Sequence, residues 1–508
     1  MAAIEVEHTT RLALEEKAKL KKSFRRLDMI LFTICAMVGM DLIGSIASNG
    51  LEAVTWLILL ALLFLVPYGL IMSELGTSFP EEGGPYEWVK LAFGRVQAGI
   101  FAVFYWITNP FWVGGSLAFT AVAAIDSEWF SVSGGSFLDY LLKIVFIWLT
   151  IGVAIASLDK GKWIPNIGAM GRAFLVAIFV LTVAIYAIKN GVQEGLAGAD
   201  LKPTLGGFLG IVPLAIFAFV GFELQSNAAE EMVNPQKDVP VSVSRAGIFA
   251  TIAYILPVLG VLFVLPIGEI DGLDAFIRAT DVAFNDVWGS ALGGFLLQVT
   301  VALLILALAT SGASWIMGSD RTEAVAAYDG AFFPYFGRID AKLGTPVRVN
   351  ILTGIVGTAF CVVATIIQTS GGSSAQSTFG VVLTIAITTT LISYLWVFPA
   401  AYVLRRKHAG VHRVYRVPGG DRGMLVAAIL TTFFTFVGSF EALFPGVLWE
   451  ILGQDYGSFF DAWGVSRGRF ELFTLGTVAI VVALAIVGYA AGKRVRGEDV
   501  TVPIGETA

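Results

Sequence analysis

Apolar residues gather in long runs separated by short polar stretches. A run of about 20 such residues crosses a bilayer as one helix. The pattern predicts twelve spans, over 29–49, 51–76, 96–125, 138–158, 166–189, 208–232, 245–268, 287–318, 347–369, 379–404, 424–445 and 472–492. The 28 residues ahead of the first run are polar and carry seven Lys/Arg. They do not read as a signal peptide, because the apolar stretch is too long and no small-residue cleavage site follows. With the N-terminus inside, the inner segments hold 27 Lys/Arg and the outer ones five, with Lys143 at a span edge. That asymmetry predicts a multi-pass protein of the cell membrane with both termini cytoplasmic.

Composition agrees. Charged residues are 14% of the 508 and hydrophobic ones 56%, with a mean hydropathy of +0.79. Soluble domains carry about 25% charged residues, so a disordered chain, a nucleic-acid binder and an ordinary cytosolic enzyme are excluded. Cys35 and Cys361 lie inside apolar runs, and His8, His408 and His412 in polar segments. No metal or cofactor is expected, and no His relay at depth. There is no Walker phosphate loop, arginine-rich voltage sensor or selectivity-filter sequence. A secondary transporter is the default reading. A non-transporting sensor, a channel and an intramembrane enzyme are the alternatives.

Two spans are interrupted. Span 1 reads Cys35-Ala-Met-Val-Gly39-Met40-Asp41-Leu-Ile-Gly44-Ser45, and span 6 reads Pro213-Leu-Ala-Ile-Phe-Ala-Phe219-Val-Gly221-Phe222-Glu223. Each has glycine at mid-depth and an acid within two residues of it. They are five spans apart, as a five-plus-five inverted repeat requires. Unwound backbone there offers N–H and C=O groups to a ligand. The alternative is glycine serving close helix packing.

The run Phe219–Glu223, with Ala229-Glu230-Glu231 and Val233-Asn234-Pro235-Gln236-Lys237-Asp238-Val239-Pro240, resembles the sixth helix and next loop of the amino acid–polyamine–organocation permeases. Phe79-Pro80-Glu81-Glu82-Gly83-Gly84-Pro85-Tyr86 is similar to that family's loop after helix 2. Trp315-Ile-Met-Gly318-Ser319-Asp320-Arg321, with Asp329-Gly330-Ala-Phe-Phe-Pro334 and Gly344-Thr345-Pro346, is similar to helix 8 and its loop. The resemblance implies an all-α, leucine-transporter-like fold. A ten-helix core over 29–404 follows an N-terminal tail, 1–28. A basic loop, 405–423, two accessory helices, 424–492, and a C-terminal tail, 493–508, come after it. It also implies alternating access for an amino acid, amine or polyamine, with the ligand between the breaks and helices 3, 8 and 10 closing the site. Coupling to protons, or exchange, is expected.

On this reading Gly39, Met40, Asp41, Gly44, Asn109, Trp112, Phe219, Gly221, Phe222 and Trp315 bind substrate. Asp41 stands where the family has a second glycine. An ionised acid there repels a carboxylate and attracts an ammonium; a protonated one suits either and carries a proton. The alternative is a helix cap. Glu223 matches an acid associated in relatives with proton-linked gating; the alternative is a static link between helices. Arg172 falls near the place where relatives have a lysine and sodium-coupled cousins bind sodium. It is either a fixed cation, since arginine does not release its proton, or a membrane-edge anchor. Ser311 and Ser314 are candidate hydroxyl ligands for sodium. Residues 11–27 have the pattern of a surface helix, and Arg405-Arg406-Lys407 that of a topology anchor in reach of lipid headgroups.

Overall fold

The computed structural model describes residues 6–20, 22–156, 163–193, 200–370 and 375–503. The expected end of span 4 at 157–158, its basic loop, and the outermost residues of both tails lie outside these.

Eleven helices among the described residues are long and apolar enough to cross a membrane. With one further helical run they are α1 (Arg26–Ala47), α2 (Gly50–Ser78), α3 (95–128), α4 (Phe137–Ile155), α5 (Trp163–Asn190) and α6 (Leu205–Glu231). Then come α7 (Pro235–Val264), α8 (Ala275–Tyr328), α9 (Val347–Thr369), α10 (Gln376–Lys407), α11 (Gly420–Leu443) and α12 (Arg467–Ala491). The expected span 96–125 is α3. It consists of Arg95–Trp112 and Ala118–Glu128 joined by a π-helical turn at Val113–Leu117. Almost all of its Ala98–Trp112 segment is buried, so it forms an inner wall. α3 packs on α8, α9 and α10, and α1 on α5, α7 and α8.

α8 differs from the expected 287–318. Gly289, at φ 75°, divides off an N-terminal segment, and the helix runs on to Tyr328. Apolar counting stops at 318 because Ser319, Asp320, Arg321, Thr322 and Glu323 follow. Those side chains are buried in protein, so the helix continues.

Both expected breaks exist. α1 is helical over Arg26–Met37, extended at Val38–Gly39, a 3₁₀ turn at Met40–Leu42, and helical again from Ile43. α6 is helical to Phe219, extended at Val220, and turns at Gly221 with φ 131°. An L side chain rarely adopts that φ. Phe222–Glu231 follows as 3₁₀ turns, kinked at Ala228, whose φ of -114° and ψ of 38° are not helical.

Among its described residues, the expected surface helix over 11–27 is helical over Arg11–Lys17, which buries Ala13 and Glu16, and again only from Arg26, where α1 begins. Val6–Thr10 before it pairs antiparallel with Asp499–Pro503, so the two tails form one small sheet.

Candidate functional site

The break in α1 is held open by one side chain. The Tyr254 hydroxyl, from α7, accepts the Gly39 N–H at 2.8 Å and donates to the Met37 carbonyl at 2.8 Å. Both backbone groups are freed by the unwinding and are costly if left unsatisfied. The break in α6 is held likewise by Tyr68 of α2. Its hydroxyl accepts the N–H groups of Gly221 at 2.9 Å and Phe222 at 2.8 Å, and donates to a Glu223 carboxylate oxygen.

Glu223 is fully buried. Its other oxygen accepts hydroxyls of Tyr105 at 2.7 Å and Tyr394 at 2.6 Å. Three phenols from α2, α3 and α10 therefore converge on one acid of α6. Tyr68 spends both lone pairs on N–H groups, and Tyr105 accepts Asn227 Nδ2 at 3.3 Å, so the hydrogens of both point at Glu223.

Asp41 is 2% exposed. Its Oδ2 accepts Trp112 Nε1 at 2.9 Å and the Ser116 hydroxyl, both from α3. Its Oδ1 has no hydrogen-bond partner among the described residues. That oxygen lies beside Gly39: a Cβ built there would sit 3.0 Å from it.

Between the breaks is a cavity of about 10 Å³, lined by Ala36, Met37, Gly39, Leu42, Trp112, Phe217, Val220, Tyr254 and Trp315. Trp112 and Trp315 meet edge-to-face at 6.2 Å, and Phe217 closes on Trp112 at 6.1 Å. Trp315 Nε1 donates to the Ala36 carbonyl at 2.9 Å, which ties α8 to α1 just before its break.

The structure therefore brings Gly39, Trp112 and Trp315 to one cavity and sets Asp41 at its edge. Met40 is buried in the turn beside them, and Phe219 packs on Tyr254 at 6.2 Å. The other expected residues are placed around it. Gly44 packs on the loop after α7, where a Cβ would come 2.6 Å from the Asp271 carbonyl oxygen. Asn109 is buried on α3, with Nδ2 3.5 Å from the Tyr105 carbonyl. Phe222 packs on Tyr68 with the rings tilted at 40° and 4.9 Å apart, and lines a separate apolar cavity of about 560 Å³ between α2 and α7. Ser311 donates to the Cys35 carbonyl at 3.0 Å, and Ser314 to Thr310 of its own helix at 2.8 Å. Arg172 is fully buried and donates to the Ala307 carbonyl of α8 at 2.7 Å. Sequence reasoning missed Tyr254, Tyr68, Tyr105, Tyr394, Ser116 and Phe217.

The end of the molecule that carries both tails is closed by charge. Arg321 bridges Glu231 and Glu82 and donates to the Gly344 carbonyl at 2.8 Å. Lys17 sits between Glu81 at 3.0 Å and Glu230 at 2.9 Å. Burial works against its charge, but Glu230 and Glu81 outweigh it and hold its pKa well above the ordinary lysine value. Burial and the neighbouring Glu231 push the Glu82 carboxyl well above its ordinary range, against the pull of Arg321. Arg405 is buried too and pairs with Glu74, so that cation binds protein. The Glu81-Glu82-Gly83-Gly84 stretch and the end of α6 thus form one latch with α8 and the N-terminal segment.

Comparison with known proteins places this arrangement. A family model described as amino acid permease matches residues 24–450. A probable agmatine/putrescine antiporter of Lactococcus lactis is 28% identical over 404 residues, 79% of this chain and 84% of that protein. The cadaverine/lysine antiporter of Escherichia coli is 25% identical over 380 residues, 72% of this chain and 81% of that protein. Among solved structures, a mutant form of the manganese transporter of Eremococcus coleocola superposes with a TM-score of 0.61 at 11% identity. The match covers 92% of this chain and 94% of that one, a likeness of fold alone. The fold, the paired breaks and the match over most of the chain lead to one conclusion: the chain belongs to the amino acid permease family of the amino acid–polyamine–organocation superfamily, and is a membrane transporter rather than an enzyme.

Proposed function

We propose that the chain carries a small amine, or an amino acid with a cationic side chain, across the cell membrane by alternating access, with both termini cytoplasmic. One observation carries the reading: the Asp41 carboxylate, with one oxygen unpartnered among the described residues, stands at the α1 break beside an aromatic-walled cavity. A buried acid without a cation partner is costly. An ammonium supplies one, and the faces of Trp112 and Trp315 add cation–π attraction. The names of the two relatives, both antiporters of amines, point the same way.

The cavity of about 10 Å³ is too small for any such substrate. Access therefore requires the halves of α1 and α6 to move, and the hydroxyls of Tyr254 and Tyr68 are the contacts that hold them. Glu223 is the proton site in this scheme. In the closed arrangement it accepts from three phenols, as a carboxylate does. Taking up a proton makes one of its oxygens a donor. Tyr394 is then the phenol that reverses and accepts it, since its oxygen takes no N–H among the described residues. Protonation thus loosens the hold of α2, α3 and α10 on α6. Arg172 acts as the fixed cation beneath the α1 break, with Nε and Nη1 unpartnered among the described residues.

The test is a thermal-shift screen of diamines and polyamines against neutral amino acids, at two pH values. Cationic amines should stabilise the protein and neutral amino acids should not. A shift confined to neutral amino acids contradicts the assignment.

A further inference from the structure

A second cavity lies on the face opposite the charged latch, between α1, α6, α10, α11 and the segment after α11. Its volume is about 190 Å³. Glu441 of α11 lines it and is 4% exposed. Its Oε2 accepts the Gly446 N–H at 3.3 Å, and its Oε1 has no hydrogen-bond partner among the described residues. Three aromatic side chains, Trp449, Tyr456 and Trp463, complete the wall. The rings of Trp449 and Tyr456 meet at 5.5 Å and 75°. Trp463 Nε1 donates to the Tyr456 hydroxyl at 2.7 Å, which fixes both. The nearby cation, Arg467, is paired with Glu450 at 3.2 Å and stacks on Phe459. A buried carboxylate oxygen and several ring faces around a small cavity are complementary to an ammonium.

The place of this cavity in the fold matters as much as its lining. Ser45 of α1 and Leu214 of α6 both face it. Leu42 and Phe217, each three residues away on the same element, line the central cavity. The two cavities are therefore stacked one helical turn apart along both interrupted helices.

We propose that this cavity is a second binding site for a primary ammonium, on the route between the membrane surface and the central cavity. Glu441 is its counter-charge, and Trp449, Tyr456 and Trp463 are its walls. The proposal rests on the amine reading of the central site. A cation held here touches both broken helices, so its arrival and departure are coupled to their movement.

The test is calorimetric titration of 1,4-diaminobutane into the purified full chain, with Glu441→Gln, Trp463→Leu and Asp41→Asn alongside. Two binding steps are expected. One should weaken about tenfold in Glu441→Gln, as loss of a charged hydrogen bond predicts, and in Trp463→Leu, which leaves the buried acid untouched. The other should be lost only in Asp41→Asn. A single step abolished by Asp41→Asn and indifferent to the other two variants overturns the second site and leaves the central one standing. A single step lost in Glu441→Gln but kept in Asp41→Asn upholds the second site and overturns the Asp41 assignment. No binding at all overturns both. Should Glu441→Gln fail to fold, Trp463→Leu decides.

Discussion

Glu223 is a structural link between helices, and in the proposed scheme it is also the switch. Its carboxylate accepts from Tyr68, Tyr105 and Tyr394, and so joins α6 to three other helices. Each bond to the charged form is worth about 1.5–3 kcal/mol; a proton on Glu223 weakens those from Tyr68 and Tyr105 and reverses the one from Tyr394. Glu223→Gln should therefore fold and bind substrate but lose the pH dependence of uptake. Measuring uptake against pH in proteoliposomes checks this; an unchanged pH profile contradicts it. Tyr394→Phe separates the two roles. It keeps the acid but removes the phenol that reverses, so it should slow transport while leaving substrate binding within about threefold, since the hydroxyl touches no described part of the cavity.

Among the elements, the two broken helices dominate, each braced by a tyrosine from a neighbouring helix. Tyr254→Phe leaves the Gly39 N–H and the Met37 carbonyl without a partner. The variant should lose about 2–4 kcal/mol, read as a lowered Tm of the purified protein. Gly221→Ala tests the other break. At φ 131° an alanine is strained by about 1–3 kcal/mol, and its Cβ would meet Met37 Cγ at 3.1 Å. Uptake should fall more than expression, because the strain sits where α6 must turn. The breaks are legible in the sequence because glycine and an acid inside an apolar run are locally anomalous. Asp41 and Glu223 stand out for the same reason. The braces are not legible. Tyr68, Tyr105, Tyr254 and Tyr394 each sit in an ordinary apolar helix, where a tyrosine is common, and what marks them is a hydroxyl meeting backbone or carboxylate far away in sequence. Phe222 shows the reverse. Its position beside Gly221 suggests the cavity, but the turn at Gly221 sends its ring to the far side, between α2 and α7. Ser311 is similar: its position suits a sodium ligand, and in the fold its hydroxyl donates to the Cys35 carbonyl of α1.

Across the whole molecule the asymmetry is one of chemistry. One end is latched by ion pairs among Lys17, Glu81, Glu82, Glu230, Glu231 and Arg321, and tied by a sheet joining both tails. The other end is closed by backbone packing, as at Gly44 against Asp271. The latch should respond to pH with a definite sign. Glu82 has a raised pKa when buried and an ordinary one when the latch opens into water. The closed form therefore binds the proton more tightly; it is favoured below the ordinary carboxylate pKa and loses that advantage as pH rises through the raised value. Hydrogen exchange of residues 79–84 should accelerate with pH beyond the intrinsic base dependence in the wild type. Glu82→Gln should remove that excess. The same excess in both proteins contradicts the assignment.

The proposed meeting of Asp41 with a substrate ammonium underlies all of this. It is tested most directly by uptake of radiolabelled 1,4-diaminobutane into proteoliposomes holding either the wild type or Asp41→Asn, with Tm recorded for both. Saturable uptake is expected of the wild type and at least about tenfold less of the variant, as loss of a buried charge pair implies, at nearly unchanged Tm. Wild-type-like uptake by Asp41→Asn contradicts it.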